Sequence, residues 1–234
     1  MIPRTPLHLG ASLPQKHTGW TPGRDDLSEE GFGGFRDTWV IRDVGVREAK
    51  ALLEVEGQLV QLADRFSRDA EEFDAICSAL ENADAEELPA RLQHPAIPEE
   101  LAVHLGAEYS PTEGLDLGVA GLVYALAAVG CWTAASCRGH PKSYAFTDRP
   151  VVVLACDRHR ASVLQADVER THCGLTTDGH REGLLAVEAE SVEEMMALAL
   201  LVASHRKDFI PREGDREGSV DEQGNQGAFD FGSG

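Results

Sequence analysis

Apolar positions recur at three- and four-residue steps from Val46 to about Leu80. Ala49, Leu52, Leu53, Leu59, Leu62, Ala63 and Phe66 lead the stripe, and Phe73, Ile76, Cys77 and Leu80 continue it. This period predicts one long helix, or two in a hairpin with a break near Ser67, with Glu and Asp forming a solvated opposite side. Asn82 to Pro98 reads as a linker with a short helical turn. Leu115 to Val129 is apolar on nearly every side, with Asp116 near its start, so it predicts a helix buried on most faces and ended by Gly130.

The pattern then changes to strands. Cys131 to Cys137 is small, aromatic and uncharged, and Gly139 and Pro141 stop it. Pro150 to Cys156 is a β-branched apolar run, a second strand. Asp157 suits the cap of a helix from Arg158 to Arg170. Gly174 and Gly179 read as a loop, and Leu184 to Glu188 as a third strand. Ser191-Val-Glu-Glu194 has the form of a capping box opening a helix from Met195 to His205. The predicted fold is α/β (α+β): a small mixed sheet with helices on one face, preceded by an acidic helical extension. Residues 1–35, rich in Pro and Gly, read as an irregular N-terminal arm. Residues 36–114 form the acidic helical region and 115–210 the α/β domain. Residues 211–234 read as a disordered acidic tail.

Charge sharpens this picture. The 234 residues carry a net charge of −19, and residues 36–114 hold 7 Lys and Arg against 18 Asp and Glu. Between Arg138 and Arg160 the sign reverses, with Arg138, Lys142, Arg149, Arg158 and Arg160 facing only Asp148 and Asp157. A locally basic patch on an acidic chain suits a small anionic ligand, and an acidic helical face suits a protein partner. Neither suits tight general nucleic-acid binding, which needs a broad basic face. The chain has no apolar run long enough to span a membrane, and its N-terminus lacks the pattern of a secretory leader. The 5 cysteines form no close-set framework, which predicts free or metal-bound thiols in a reducing cytoplasm.

Candidate chemistry gathers in Thr133-Ala-Ala-Ser136-Cys137-Arg138-Gly139-His140, with Lys142 just beyond. The turn admits three chemistries. Ser136, Arg138 and the amides around Gly139 make a donor-rich nest for phosphate or carboxylate, and this asks least of the sequence. Cys137 beside His140 and Arg138 has the elements of an activated nucleophile, with no third orienting residue evident. Cys137-x-x-His140 also has metal-ligand spacing, and His172-Cys173 or His180 would complete a zinc set. A motif that only braces the fold would instead bury Arg138 and His140 against internal partners. Cys131 and Cys156 read as core. His94, His104, His159 and His205 read as ordinary singletons, Trp20 and Trp39 as packing residues, and Phe229 and Phe231 as incidental aromatics.

Residues 115–205 resemble the third enzyme of wybutosine synthesis, a family of tRNA-modifying methyltransferases. Thr133, Ser136, Cys137 and Gly139 match its Thr-x-x-Ser-Cys-x-Gly turn, and Val151–Cys156 and Leu184–Glu188 match the strands that follow; His140 stands where that family carries arginine. The chain is also similar to bacterial proteins of unknown role with Ser-Cys-x-Gly-His at this point. The resemblance implies S-adenosylmethionine as cofactor and methyl transfer to an RNA or nucleotide. The alternative is a non-catalytic subunit of a bacterial protein complex, with the motif as a structural or zinc-binding brace.

Overall fold

A computed structural model describes residues 1–7, 10, 19–28, 38–39, 41, 44–106, 110, 112, 114–141, 147–178 and 183–211. Lys142, His180 and the segment 212–234, with Phe229 and Phe231, lie outside the described residues.

The long apolar stripe folds as two helices, α1 (Val46–Phe66) and α2 (Ala70–Asn82). The break falls at Ser67, where the backbone turns extended, and Asp69 restarts the helix by accepting the Glu72 amide. A helix absent from the sequence reading, α3 (Glu99–Leu105), follows two short 3-10 turns in the linker. The apolar segment after it is α4 (Ala120–Ala128), and its start is displaced from the expected Leu115. Gly118, at φ +94°, turns the chain just before the helix. Glu56 reaches across from α1, and its carboxylate accepts the Gly118 and Gly121 amides at 2.8 and 3.1 Å. It thereby satisfies amides that the helix start leaves open.

The sheet contains β1 (Leu27–Ser28), β2 (Thr38–Trp39), β3 (Trp132–Cys137), β4 (Val151–Ala155), β5 (Cys173–Thr177) and β6 (Leu185–Ala189), in the order β1-β2-β3-β4-β6-β5. The four longer strands are antiparallel throughout, and the parallel contribution is the short β1–β2 pairing. The loop expected at Gly174 is strand β5. Its ladder to β6 holds a glycine and two threonines that blur the apolar pattern. Helices α5 (Arg158–Val168) and α6 (Val192–Ser204) complete the chain order. Asp157 caps α5 as expected, through the Arg160 amide. At α6 the Ser191 hydroxyl bonds Glu194 directly and does not cap the helix.

Three apolar clusters hold these parts. The largest joins one sheet face to α4, α5 and α6, and includes Ala49 and Leu53 from α1. The second gathers the far half of α1 with α2, α3, Leu117 and Val192. The helical region is therefore built into the sheet's core. The third lies on the outer sheet face, where Trp20 packs against Val151, Val153, Ala155 and their neighbours. Trp20 thus packs on the face that the helices leave open. The acidic side of α1 and α2 is not wholly solvated, because Glu56, Glu72, Asp74 and Glu81 are buried. Burying a carboxylate is costly without a partner, so each calls for one.

Candidate functional site: a charged turn at the end of β3

Asp74, Ser78 and Glu81 stand at i, i+4 and i+7 on α2, one face of a helix. That face meets the turn leaving β3. Arg138 is 3 % exposed and spends its guanidinium on this helix. It donates to Asp74 at 2.8 Å and to Ser78 at 3.4 Å, and it ion-pairs with Glu81. Its own amide donates to Asp116, in the loop before α4, at 2.9 Å. Glu81 also accepts the Leu117 amide.

His140 joins the same cluster. Its Nδ1 lies 2.7 Å from Asp74 Oδ1, and its Nε2 lies 3.5 Å from Asp116 Oδ2. Hydrogen bonds to Asp116 and Asp74 push the imidazole up to about 12, so it is a cation at neutral pH. Burial opposes ionisation of Asp74 and Asp116, but His140 and Arg138 outweigh it and hold both below the usual carboxylate range. At Glu81 burial prevails over Arg138 and raises the carboxyl.

Gly139 makes the turn possible. Its φ is +83°, and a Cβ there would fall 2.6 Å from the Arg149 backbone. Beyond it the His140 amide donates to Thr147 O at 3.0 Å, tying the turn to the approach of β4.

Arg138 and His140 therefore do converge on one point, and that point is Asp74 Oδ1. The protein's own carboxylates occupy the donors that the sequence offered to an anion. Thr133 and Ser136 lie opposite Leu154 and Val152 in the ladder, on the helix-covered face, whereas Cys137 lies opposite Val151 on the other. Cys137 is buried, and the Gly139 amide points to its Sγ at 3.4 Å. The second half of the expected zinc set is elsewhere. His172 and Cys173 are at β5, three strands from β3 in the sheet and so roughly 14 Å away. The group brought to Cys137 and His140 is Asp116 instead, with the three ligand atoms all within 4.8 Å of one another.

A cleft of about 560 Å³ opens beside the turn. Phe73, Val192, Pro141 and Pro150 give it apolar walls, and Asp74, Asp148 and Glu190 line it with acceptors. Arg4 also lines it, and is engaged by Glu193 and Glu194 at 3.2 and 3.0 Å.

Asp74, Glu81 and Asp116 are the residues that sequence reasoning passed over. Each left a signal. Asp74 and Glu81 interleave with the apolar positions Phe73, Ile76, Cys77 and Leu80, and Asp116 is the one charge between Glu113 and Arg138. Among the described residues, no helix is long and apolar enough to cross a membrane. Comparison with protein-family models, with characterised proteins and with solved structures gives no match for this chain.

Proposed function

We propose that this protein binds a nucleoside-sized small molecule in the cleft between α2, the charged turn and the ends of β4 and β6. The observation that carries this reading is the cleft's place and lining. Its volume, about 560 Å³, falls within the range of small-molecule sites, roughly 300–1,000 Å³. Asp74 is engaged by Arg138 and His140, so apolar walls with the Asp148 and Glu190 carboxylates favour a flat ligand bearing donors. S-adenosylmethionine, implied by the resemblance to the wybutosine methyltransferases, has both a sulfonium and an ammonium group, and methyl transfer to a nucleotide is the corresponding reaction class. Calorimetric titration with S-adenosylmethionine, adenosine and ATP tests the reading. Saturable binding of one of them, weakened at least about tenfold by Ala70→Trp at the cleft wall, is expected. No heat from any of the three would overturn it.

A second reading rests on the burial of Arg138: the motif is a brace in a non-catalytic subunit whose acidic helices meet a partner. Failure of all three titrations, together with unfolding of Arg138→Ala, would favour that alternative.

A further inference from the structure

We infer that Asp116, Cys137 and His140 form a site for a single zinc ion, independent of whatever occupies the cleft. A tetrahedral zinc with bonds of roughly 2.0–2.3 Å sets its ligand atoms about 3.3–3.8 Å apart. His140 Nε2 and Asp116 Oδ2 already stand at 3.5 Å, and Cys137 Sγ completes a triangle whose sides do not exceed 4.8 Å. Small side-chain rotations close the remaining gap.

The ligands are also held as a metal requires. Asp74 takes His140 Nδ1 at 2.7 Å, which aims Nε2 at Asp116 and Cys137. A carboxylate behind a ligating histidine is the usual support for zinc. The Arg138 amide fixes Asp116, and the Gly139 turn fixes the spacing between Cys137 and His140. Charge points the same way. Asp74 and Asp116 both face the His140 imidazolium, so an ion that takes the place of its Nε2 proton keeps these carboxylates beside a positive charge. A thiolate with an imidazole selects zinc over magnesium or calcium. On binding, the ion displaces the proton between His140 and Asp116 and the thiol proton of Cys137, and both leave to solvent. The side chains of His140 and Asp116 are 29 % and 28 % exposed, which leaves a fourth position for water or a ligand atom. Three protein ligands with an open position are the arrangement of catalytic zinc.

The test uses the full chain and the metal alone. Equimolar cobalt(II) should give tetrahedral visible bands and a thiolate charge-transfer band, both bleached by zinc. Cys137→Ser should abolish the charge-transfer band, and Cys173→Ser should leave it unchanged. Asp74→Asn should weaken zinc about 10- to 100-fold, because Asp74 holds the ligand His140. Should Cys137→Ser fail to fold, X-ray absorption on the zinc-loaded wild-type chain decides, with one sulfur scatterer expected. No thiolate band, a band that survives Cys137→Ser, or a sulfur count of none or two overturns the site.

Discussion

Strand β3 is entered through Gly130 and Cys131, with Arg160 and Asp157 beside them, and left through Cys137, Arg138 and Gly139, with Asp74 and Asp116 beside them. Both ends thus have a glycine at positive φ, a buried cysteine, an arginine and an aspartate. At the entrance the partners are local. Arg160 pairs with Asp157 one turn back, and donates to Val129 O at 2.9 Å. Cys131 and Cys156 are free thiols that share a hydrogen bond, and that bond and burial push the Cys156 thiol well up. At the exit the partners come from α2, and the arginine side chain is 2 % exposed against 20 % for Arg160. Similar side chains give a cap at one end and a junction at the other. The difference lies in whether the carboxylates come from the same turn or from another layer.

The sharpest way to break this comparison is Arg138→Ala. It leaves Glu81 buried without its cation and Asp74 with His140 alone, and should cost about 3–5 kcal/mol in urea unfolding. A loss below about 1 kcal/mol would put Arg138 in the same class as Arg160.

Glu56, on the helical side of the same junction, should make stability depend on pH. Burial pushes its carboxyl from 4.5 up to about 7, against the backbone amides that favour the anion. The unfolded chain therefore ionises first, and stability falls as pH rises from about 4.5 to 7, by about 3 kcal/mol in total. Glu81, raised by burial, acts in the same direction. The stabilisation from His140 is complete below about 6.5, its ordinary value, and is lost as pH rises further. Denaturant titrations across this range should show the slope, and Glu56→Gln should remove most of it.

The two glycines sharpen the contrast. Gly139→Ala meets the Arg149 backbone at 2.6 Å as well as the left-handed strain, and should cost about 2–3 kcal/mol. Gly130→Ala first meets the Arg160 guanidinium, at 3.0 Å, the far end of a side chain rather than backbone. Its cost should stay near the strain alone, about 1 kcal/mol. Smallest of all should be Arg160→Ala, below about 1 kcal/mol, because a partly exposed local pair is worth little. Thermal unfolding of both glycine variants and of Arg160→Ala checks the order.

What the sequence made legible follows the same division between local and distant. The break at Ser67, the Asp157 cap, the buried α4 and the turn at Gly139 are each written within a few residues, and the structure has them. Strand β5 was not legible, because Gly174, Thr176 and Thr177 lack the apolar alternation and their pairing depends on β6. The junction was half legible. Cys137, Arg138 and His140 stood out as a cluster, but nothing in their neighbourhood announced Asp74, and an aspartate on an acidic helix reads as solvated until a distant arginine is brought to it.

The reach of Arg138 also bears on how fast the molecule comes apart. Its side-chain bonds to Glu81 and Asp74 join residues 57 and 64 apart in the chain. The α1–α2 hairpin can assemble through near neighbours, whereas this link waits for β3 to arrive and pays its loop-closure entropy late. A contact absent from the transition state slows unfolding and leaves folding nearly unchanged. Arg138 then acts as a latch on lifetime: stopped-flow kinetics of Arg138→Ala should show the lost stability almost wholly in a faster unfolding limb.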